Sequence, residues 1–250
     1  MDLHCHSSAS FDSLSSPRAI VRAAVQRGLT HIAITDHERI DGAMRARDLA
    51  PDGLTVIIGE EIRTARGDMV GLFLTETVPP GMSPIDTAKA IHEQGGLAGL
   101  PHPFDRFRGS TGRAVGAEAA GDDALEELAK HLDYVEAYNS RVPYPAANQR
   151  AADFAKAQAL PGVAVSDAHV LMEVGVAYNI LTTSVPITDA ASLRSALLQT
   201  QLVMGRASWV ARTLMPAIKV IQRLRGNRRI RAVLPAVTPT ERPVEPGPRP

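Results

Sequence analysis

The sequence predicts an α/β fold whose strands gather around a common mouth, and two observations predict it. Short apolar runs alternate with amphipathic stretches at strand-helix spacing, the pattern of parallel strands. Nearly every run is followed within two residues by His, Asp, Glu or Asn. The alternation alone suits an open doubly wound sheet as well as a closed barrel. Ionisable strand ends favour the barrel, because its C-terminal strand ends converge on one mouth, where chemistry occurs.

The elements follow in order. DLHCH at residues 2–6 reads as a first strand, and Ser16-Pro17 starts a helix with an N-cap serine before a proline in the first turn. Gly28 closes that helix, and HIAIT (31–35), LTVII (54–58) and MVGLFL (69–74) read as strands. Ser83-Pro84 opens a second readable helix that Gly95-Gly96 ends, before GLAGL (96–100), YVEAY (134–138) and GVAV (162–165). Residues 207–224 place Val210, Leu214, Ile218 and Ile221 on one helical stripe interrupted by Pro216. Residues 235–250 contain six prolines and read as a disordered tail. The expected division is a catalytic body over 1–205, a basic helical segment over 206–231 and a proline-rich tail over 232–250.

The 250 residues are 44% hydrophobic with 27 basic and 27 acidic side chains, which fits a globular protein. The net zero hides a segregation. Residues 206–250 carry ten Lys and Arg against two Glu, a balance of +8, so the first 205 residues carry −8. A lone cysteine, Cys5, excludes an internal disulfide and reads as a packing residue. With no apolar run of membrane-spanning length and no signal-like start, the expectation is a reduced, cytoplasmic protein. The sequence leaves the oligomeric state open.

His4 and His6 lie two apart in an apparent strand, so both face one way while Cys5 faces the other. Asp167 and His169 repeat that spacing at another strand end. Asp36-His37, Glu60-Glu61, His102 and the loop residue Asp12 complete a mixed histidine and carboxylate set. Such a set suits zinc, manganese or iron, and carboxylates bridge neighbouring ions. It points to a multinuclear metal centre. No GxSxG elbow or P-loop motif is present. His31, His92 and His131 read as surface or helix-end groups.

Together the segments DLHCHSSASFDSLSSP, GLTHIAITDHERIDG, GEEIRT, LPHPFDR, VEAYNSR and SDAH, spanning residues 2–169, resemble the PHP (polymerase and histidinol phosphatase) domain family. The resemblance is to its small stand-alone phosphoesterases. It implies a distorted seven-stranded (β/α) barrel with two or three divalent ions at the C-terminal strand ends. It also implies that His4, His6, Glu61 and Asp167 hold one ion, that Glu61 bridges to a second held by His102, and that Asp12, His37 and His169 hold a third. Where many members have a histidine before the strand after the glutamate motif, this chain has Asp68, which still suits a hard ion.

The expected activity is hydrolysis of a small phosphomonoester or a nucleotide by a metal-activated hydroxide. Asp12 and His169 are candidates to assist the leaving group, and Arg106, Asn139 and Arg141 are candidate substrate contacts. Two other readings stand beside it. One is an exonuclease whose basic C-terminal segment contacts nucleic-acid phosphates; the other is a non-catalytic, metal-stabilised interaction module.

Overall fold

A computed structural model describes residues 1–106, 121–182 and 186–230; the expected tail over 232–250 lies outside the described residues. Among them run α1 (Pro17–Gln26), β1 (His31–Ile34), α2 (Asp41–Arg47), β2 (Thr55–Thr64), β3 (Gly67–Leu72), α3 (Pro84–Glu93) and β4 (Leu97–Leu100). Then come α4 (Gly121–Ala129), β5 (Tyr134–Asn139), α5 (Pro145–Ala157), β6 (Gly162–Val165), β7 (Tyr178–Leu181), α6 (Ala190–Leu197), β8 (Thr200–Val203) and α7 (Trp209–Leu224). The two helix starts read from sequence are present. Ser16 Oγ accepts from Ala19 N at 3.3 Å and Ser83 Oγ from Asp86 N at 3.1 Å, each before a proline.

The chain is an α/β fold built on a curled six-stranded sheet in the order β1 to β6. Strands β1/β2, β4/β5 and β5/β6 pair in parallel, but β2/β3 and β3/β4 are antiparallel, against the all-parallel expectation. The reason is local. Only Ala65 and Arg66 separate β2 from β3, far too few residues for a parallel crossover. Gly67, at φ 116°, takes the turn, and Thr64 Oγ1 donates to its carbonyl at 2.8 Å. Because β3 is reversed, it runs against both neighbours.

The opening segment is not a continuous strand, so the expected seventh strand of the barrel is instead a bridging segment. Asp2 pairs with Ile32 beside β1, and Cys5 pairs with Ala168 just beyond β6. Ala33 N donates to Asp2 O and Thr35 N to Cys5 O, both at 2.8 Å, while His6 N donates to Ala168 O at 2.8 Å. One short segment thus ties the two edges of the sheet together. β7 and β8, which the sequence pattern did not reveal, form a separate antiparallel pair in which Asn179 is buried and the other residues are half-buried or exposed.

Three apolar clusters support this frame. One draws Leu3, Val70, Leu97, Tyr134 and Val163 together from the opening segment and the sheet, which a curled sheet permits. A second joins Ile62, Ile91, Leu100, Leu128 and Val135. The third joins Ile20, Ala24, Ile32 and Val56 with the wholly buried Cys5, whose thiol burial holds well above its usual range. Among the described residues no helix is long and apolar enough to cross a membrane.

Candidate metal centre

The frame delivers ionisable side chains to one place by several routes. His37 lies just past the end of β1, His102 just past β4 and Asp167 just past β6. Contrary to the expectation that Glu61 follows a strand, β2 continues through it, and an isolated bridge sets His37 directly beside it. The period of the strand turns Glu60 to the opposite face, where its Oε2 accepts from Val78 N at 2.8 Å. Asp68 opens β3, opposite Arg63 in the β2/β3 register.

Three overlapping groups of ligand atoms result: His6, Asp12, His37 and His169; His4, His6 and Glu61; and Glu61, Asp68 and His102. All of these residues are buried. Glu61 Oε2 lies 3.4 Å from His4 Nε2, 3.3 Å from His6 Nε2 and 3.3 Å from His37 Nδ1. Its other oxygen is 3.2 Å from His102 Nε2. Asp167 Oδ1 stands 3.8 Å and 3.5 Å from the Nε2 atoms of His4 and His6. Asp12 Oδ2 faces His37 Nε2 at 3.3 Å and His169 Nε2 at 3.4 Å.

The donor set fits divalent cations on its own chemistry. Glu136 Oε1 accepts the His4 Nδ1 proton at 2.5 Å, which turns Nε2 inward. That atom meets His6 Nε2 at 3.0 Å. His169 Nδ1 likewise donates to Asp167 O at 2.8 Å and turns its Nε2 toward Asp12. Imidazole nitrogens this close to one another and to carboxylate oxygens call for positive charge among them, which bound cations supply or, without them, protons on the imidazoles.

Protonation follows the same logic. Burial pulls the His4 imidazole down, but Glu136 and Asp167 outweigh it and hold it well above the usual range; the same balance, through Asp167 and Glu61, takes His6 to about 9. Burial raises Asp12, yet His169 and His37 carry it well below the usual carboxylate range. Burial, helped by His6 and Arg141, drops His169 to about 4 despite Asp12.

Two ligand-bearing residues sit in left-handed backbone, His102 at φ 31° and Asp167 at φ 51°. Such strain persists only where surrounding structure over-determines it. Here Glu136 Oε2 accepts from His102 N at 2.9 Å, and Asn139 Nδ2 donates to both Glu136 Oε2 and Asp167 Oδ2, at 2.8 and 3.0 Å. Asp36 holds the opening loop, taking Ser7 N and Ser7 Oγ at 2.6 Å each. Ser10 Oγ donates to Asp12 Oδ1 at 2.8 Å, leaving the other oxygen for the histidines.

The candidate substrate contacts fall elsewhere. Asn139 is buried behind the ligands, in contact with Asp167. Arg141 Nη1 reaches both oxygens of the buried Glu173, at 2.8 and 2.7 Å. Arg106 is exposed, its guanidinium 5.4 Å over the Tyr144 ring. None of the three lines the cavity of about 180 Å³ that opens over Asp12, His37, Glu61, Asp68, His102 and His169.

Sequence reasoning missed Glu136, Glu38 and Arg229. Glu136 lies inside the quoted VEAYN run, where its position three residues before Asn139 was the available signal. Arg229 Nη2 donates to Asp68 Oδ1 at 2.8 Å and its Nε to Glu38 Oε1 at 3.3 Å, a contact across more than 160 residues for which no local signal exists.

The chain has relatives in sequence and in fold. An uncharacterised protein of Methanocaldococcus jannaschii is 37% identical over 150 residues, covering 56% of this chain and 81% of that one. A 5'-3' exoribonuclease of Haemophilus influenzae is 35% identical over 117 residues, 42% of each chain. A crystallised two-domain protein from Bacteroides vulgatus containing a predicted PHP-like metal-dependent phosphoesterase superposes with a TM-score of 0.65 at 18% identity. The match covers 82% of this chain and 64% of that one, and shows the shared fold. A PHP-associated family model matches residues 145–202. With the PHP domain model matching residues 2–142, over half of its length and all nine ligand candidates but Asp167 and His169, the chain belongs to the PHP domain family.

Proposed function

We propose that this protein is a metal-dependent phosphoesterase acting on a small phosphomonoester or a nucleotide. The observation that carries the reading is the sharing of Glu61 between two of the three ligand groups, the arrangement that a bridging carboxylate requires. His4, His6, Glu61 and Asp167 would hold one ion, Glu61, His102 and Asp68 a second, and Asp12, His37 and His169 a third; manganese, zinc and iron suit these donors. Bound there, two or three such ions would supply hydroxide at neutral pH and stabilise charge on the attacking and leaving oxygens.

The chain's own residues set the stage for that chemistry. Glu136 fixes His4, Asn139 fixes Asp167, and Ser10 fixes Asp12, so the donor atoms are aimed before an ion arrives, and an ion would displace the protons that His4 and His6 hold without it. Near neutrality Asp12 is ionised and His169 is a neutral imidazole with its proton on Nδ1 and Nε2 bare, given their lowered pKa values. That suits ligand atoms better than a leaving-group acid. The opening segment's bonds to both sheet edges support reading the curled sheet as the PHP barrel with its centre at one mouth.

A second reading, exonucleolytic cleavage of RNA or DNA, is favoured by the 35% identity to a relative named as a 5'-3' exoribonuclease. The non-catalytic reading is disfavoured because eight of the nine ligand candidates fall in the three overlapping groups, with Asp167 near His4 and His6. Purified, metal-loaded protein offered phosphomonoesters, nucleotides and short 5'-phosphorylated oligonucleotides distinguishes these readings. Turnover abolished by chelator and by His102→Ala is the expected result; turnover indifferent to both would sink the phosphoesterase reading.

A further inference from the structure

The site's charge poses a problem for any anionic substrate. Asp12, Glu61, Asp68 and Asp167 crowd the cavity and its floor, and a phosphate approaching them needs cations of its own besides the ions. Among the described residues, the arginines that follow β4 and β5 do not provide them, since Arg141 is spent on Glu173 and Arg106 lies outside the cavity. Among the described residues, the cationic side chains that line it come from the C-terminal segment: Lys219 on α7, and Arg229 beyond it.

The fold fastens this segment over the mouth. Ser208 caps α7, and the helix buries Ala211, Ile218 and Gln222 on one face. Gln222 Nε2 faces the carbonyls of Ser8 and Ser10 at 3.0 and 2.8 Å, within the loop that carries Asp12. Gly226, at φ 80°, then turns the chain back. Asn227 Nδ2 grips the same loop at Ala9 O and Ser10 O, at 2.9 and 3.0 Å. Both cations flank Phe11 of this loop, the Arg229 guanidinium carbon 5.5 Å and the Lys219 Nζ 5.6 Å from its ring.

Arg229 is oriented by Glu38 and Asp68 through Nε and Nη2, with Nη2 also 3.4 Å from His37 Nδ1, while its Nη1 has no hydrogen bond among the described residues. Lys219 has no carboxylate within ion-pair distance among them. An arginine fork aligned by two carboxylates, with donors to spare beside an ammonium, matches the geometry and charge of phosphate oxygens.

We propose that the C-terminal segment is part of the site, and that Arg229 and Lys219 bind the non-bridging oxygens of the substrate's phosphate. The inference rests on the phosphoesterase reading, and it gives the basic stretch after residue 205 a use. The test is calorimetric titration of inorganic phosphate into the metal-loaded full chain, with KM and kcat for a phosphomonoester measured alongside and metal content checked for each variant. Loss of charge-assisted hydrogen bonds predicts that Arg229→Ala weakens phosphate binding about 10- to 100-fold. Lys219→Ala, on the exposed side of its helix, should weaken it about 3- to 10-fold through one lost charge. Arg229→Lys should fall between wild type and alanine, and the exposed Arg225→Ala should match wild type. Phosphate affinity and KM unchanged in both Arg229→Ala and Lys219→Ala, in a wild type that binds phosphate and turns over, overturns this inference alone. A wild type that neither binds phosphate nor cleaves any phosphoester overturns the phosphoesterase reading, and this inference with it.

Discussion

Glu136 and His4, on β5 and in the opening segment, meet through a 2.5 Å hydrogen bond between two side chains that are wholly buried. The carboxylate fixes the orientation of the imidazole ring, and its second oxygen takes the backbone N–H of His102. One residue therefore orients a side chain in one ligand group and the backbone of a ligand in another. Glu136→Gln keeps the shape and loses the charge. It should lower metal affinity about 10- to 100-fold, as loss of such supporting contacts does, without changing the far-ultraviolet circular dichroism. Competition with a chromogenic chelator reads the affinity; an unaltered value would deny Glu136 this positioning role.

The ligand groups overlap unequally, and ion counts should show it. Asp12 belongs to one group and Glu61 to two. Native mass spectrometry of metal-loaded protein should find one ion fewer in Asp12→Asn and a larger loss in Glu61→Gln. Equal losses would contradict a bridging Glu61.

Arg141 and Glu173 form a pair whose carboxylate is fully buried. The same carboxylate accepts from His169 N at 3.1 Å, so the pair also supports a ligand-bearing turn. Arg141→Ala leaves that charge unmatched, and should cost about 3 kcal/mol in chemical denaturation. If Arg141 instead contacted substrate, the same variant would keep its stability and lose KM.

Gly42, at the start of α2, faces the Asp36 carboxylate and Ser7. A Cβ there would lie 2.0 Å from Asp36 Oδ2 and 2.3 Å from Ser7 Oγ. Gly42→Ala should therefore separate that pair and cost about 1–3 kcal/mol by overpacking. A thermal melt equal to wild type would show that the loop relaxes freely.

Glu60 points away from the centre into a buried site, where burial pushes its carboxyl up to about 8. The folded state thus favours the neutral acid, while the unfolded chain ionises near its ordinary value of 4.5. Stability should be highest below that value and should fall as pH rises toward about 8, then level off. Glu60→Gln, which keeps the acceptor for Val78 N, should flatten this slope and melt higher than wild type at alkaline pH. Parallel melting curves for the two proteins across that range would refute the assignment.

Much of the site was legible locally. Two-residue spacing placed His4 and His6 on one side and Cys5 on the other, and it turned Glu60 away from Glu61, because strand geometry has a fixed period. Serine-proline pairs marked α1 and α3 because capping is a matter of adjacent residues. The chemistry of the ligand set, histidine mixed with carboxylate, was also written in the chain.

What the sequence did not determine is which partners those residues meet. The β2/β3 hairpin, rather than a crossover, brings Asp68 near Glu61 and His102, and the curl of the sheet sets Glu136 behind His4. Arg141 looked free to meet a substrate until packing placed the buried Glu173 beside it. The charge segregation was visible from composition, but only the folding of α7 back onto the Ser8–Ser13 loop brings Arg229 to Asp68. Spacing along a chain fixes the direction of neighbouring side chains, whereas contacts across more than a hundred residues depend on how the elements pack. In this protein the candidate ligands are set largely by the first, and the residues that position them by the second.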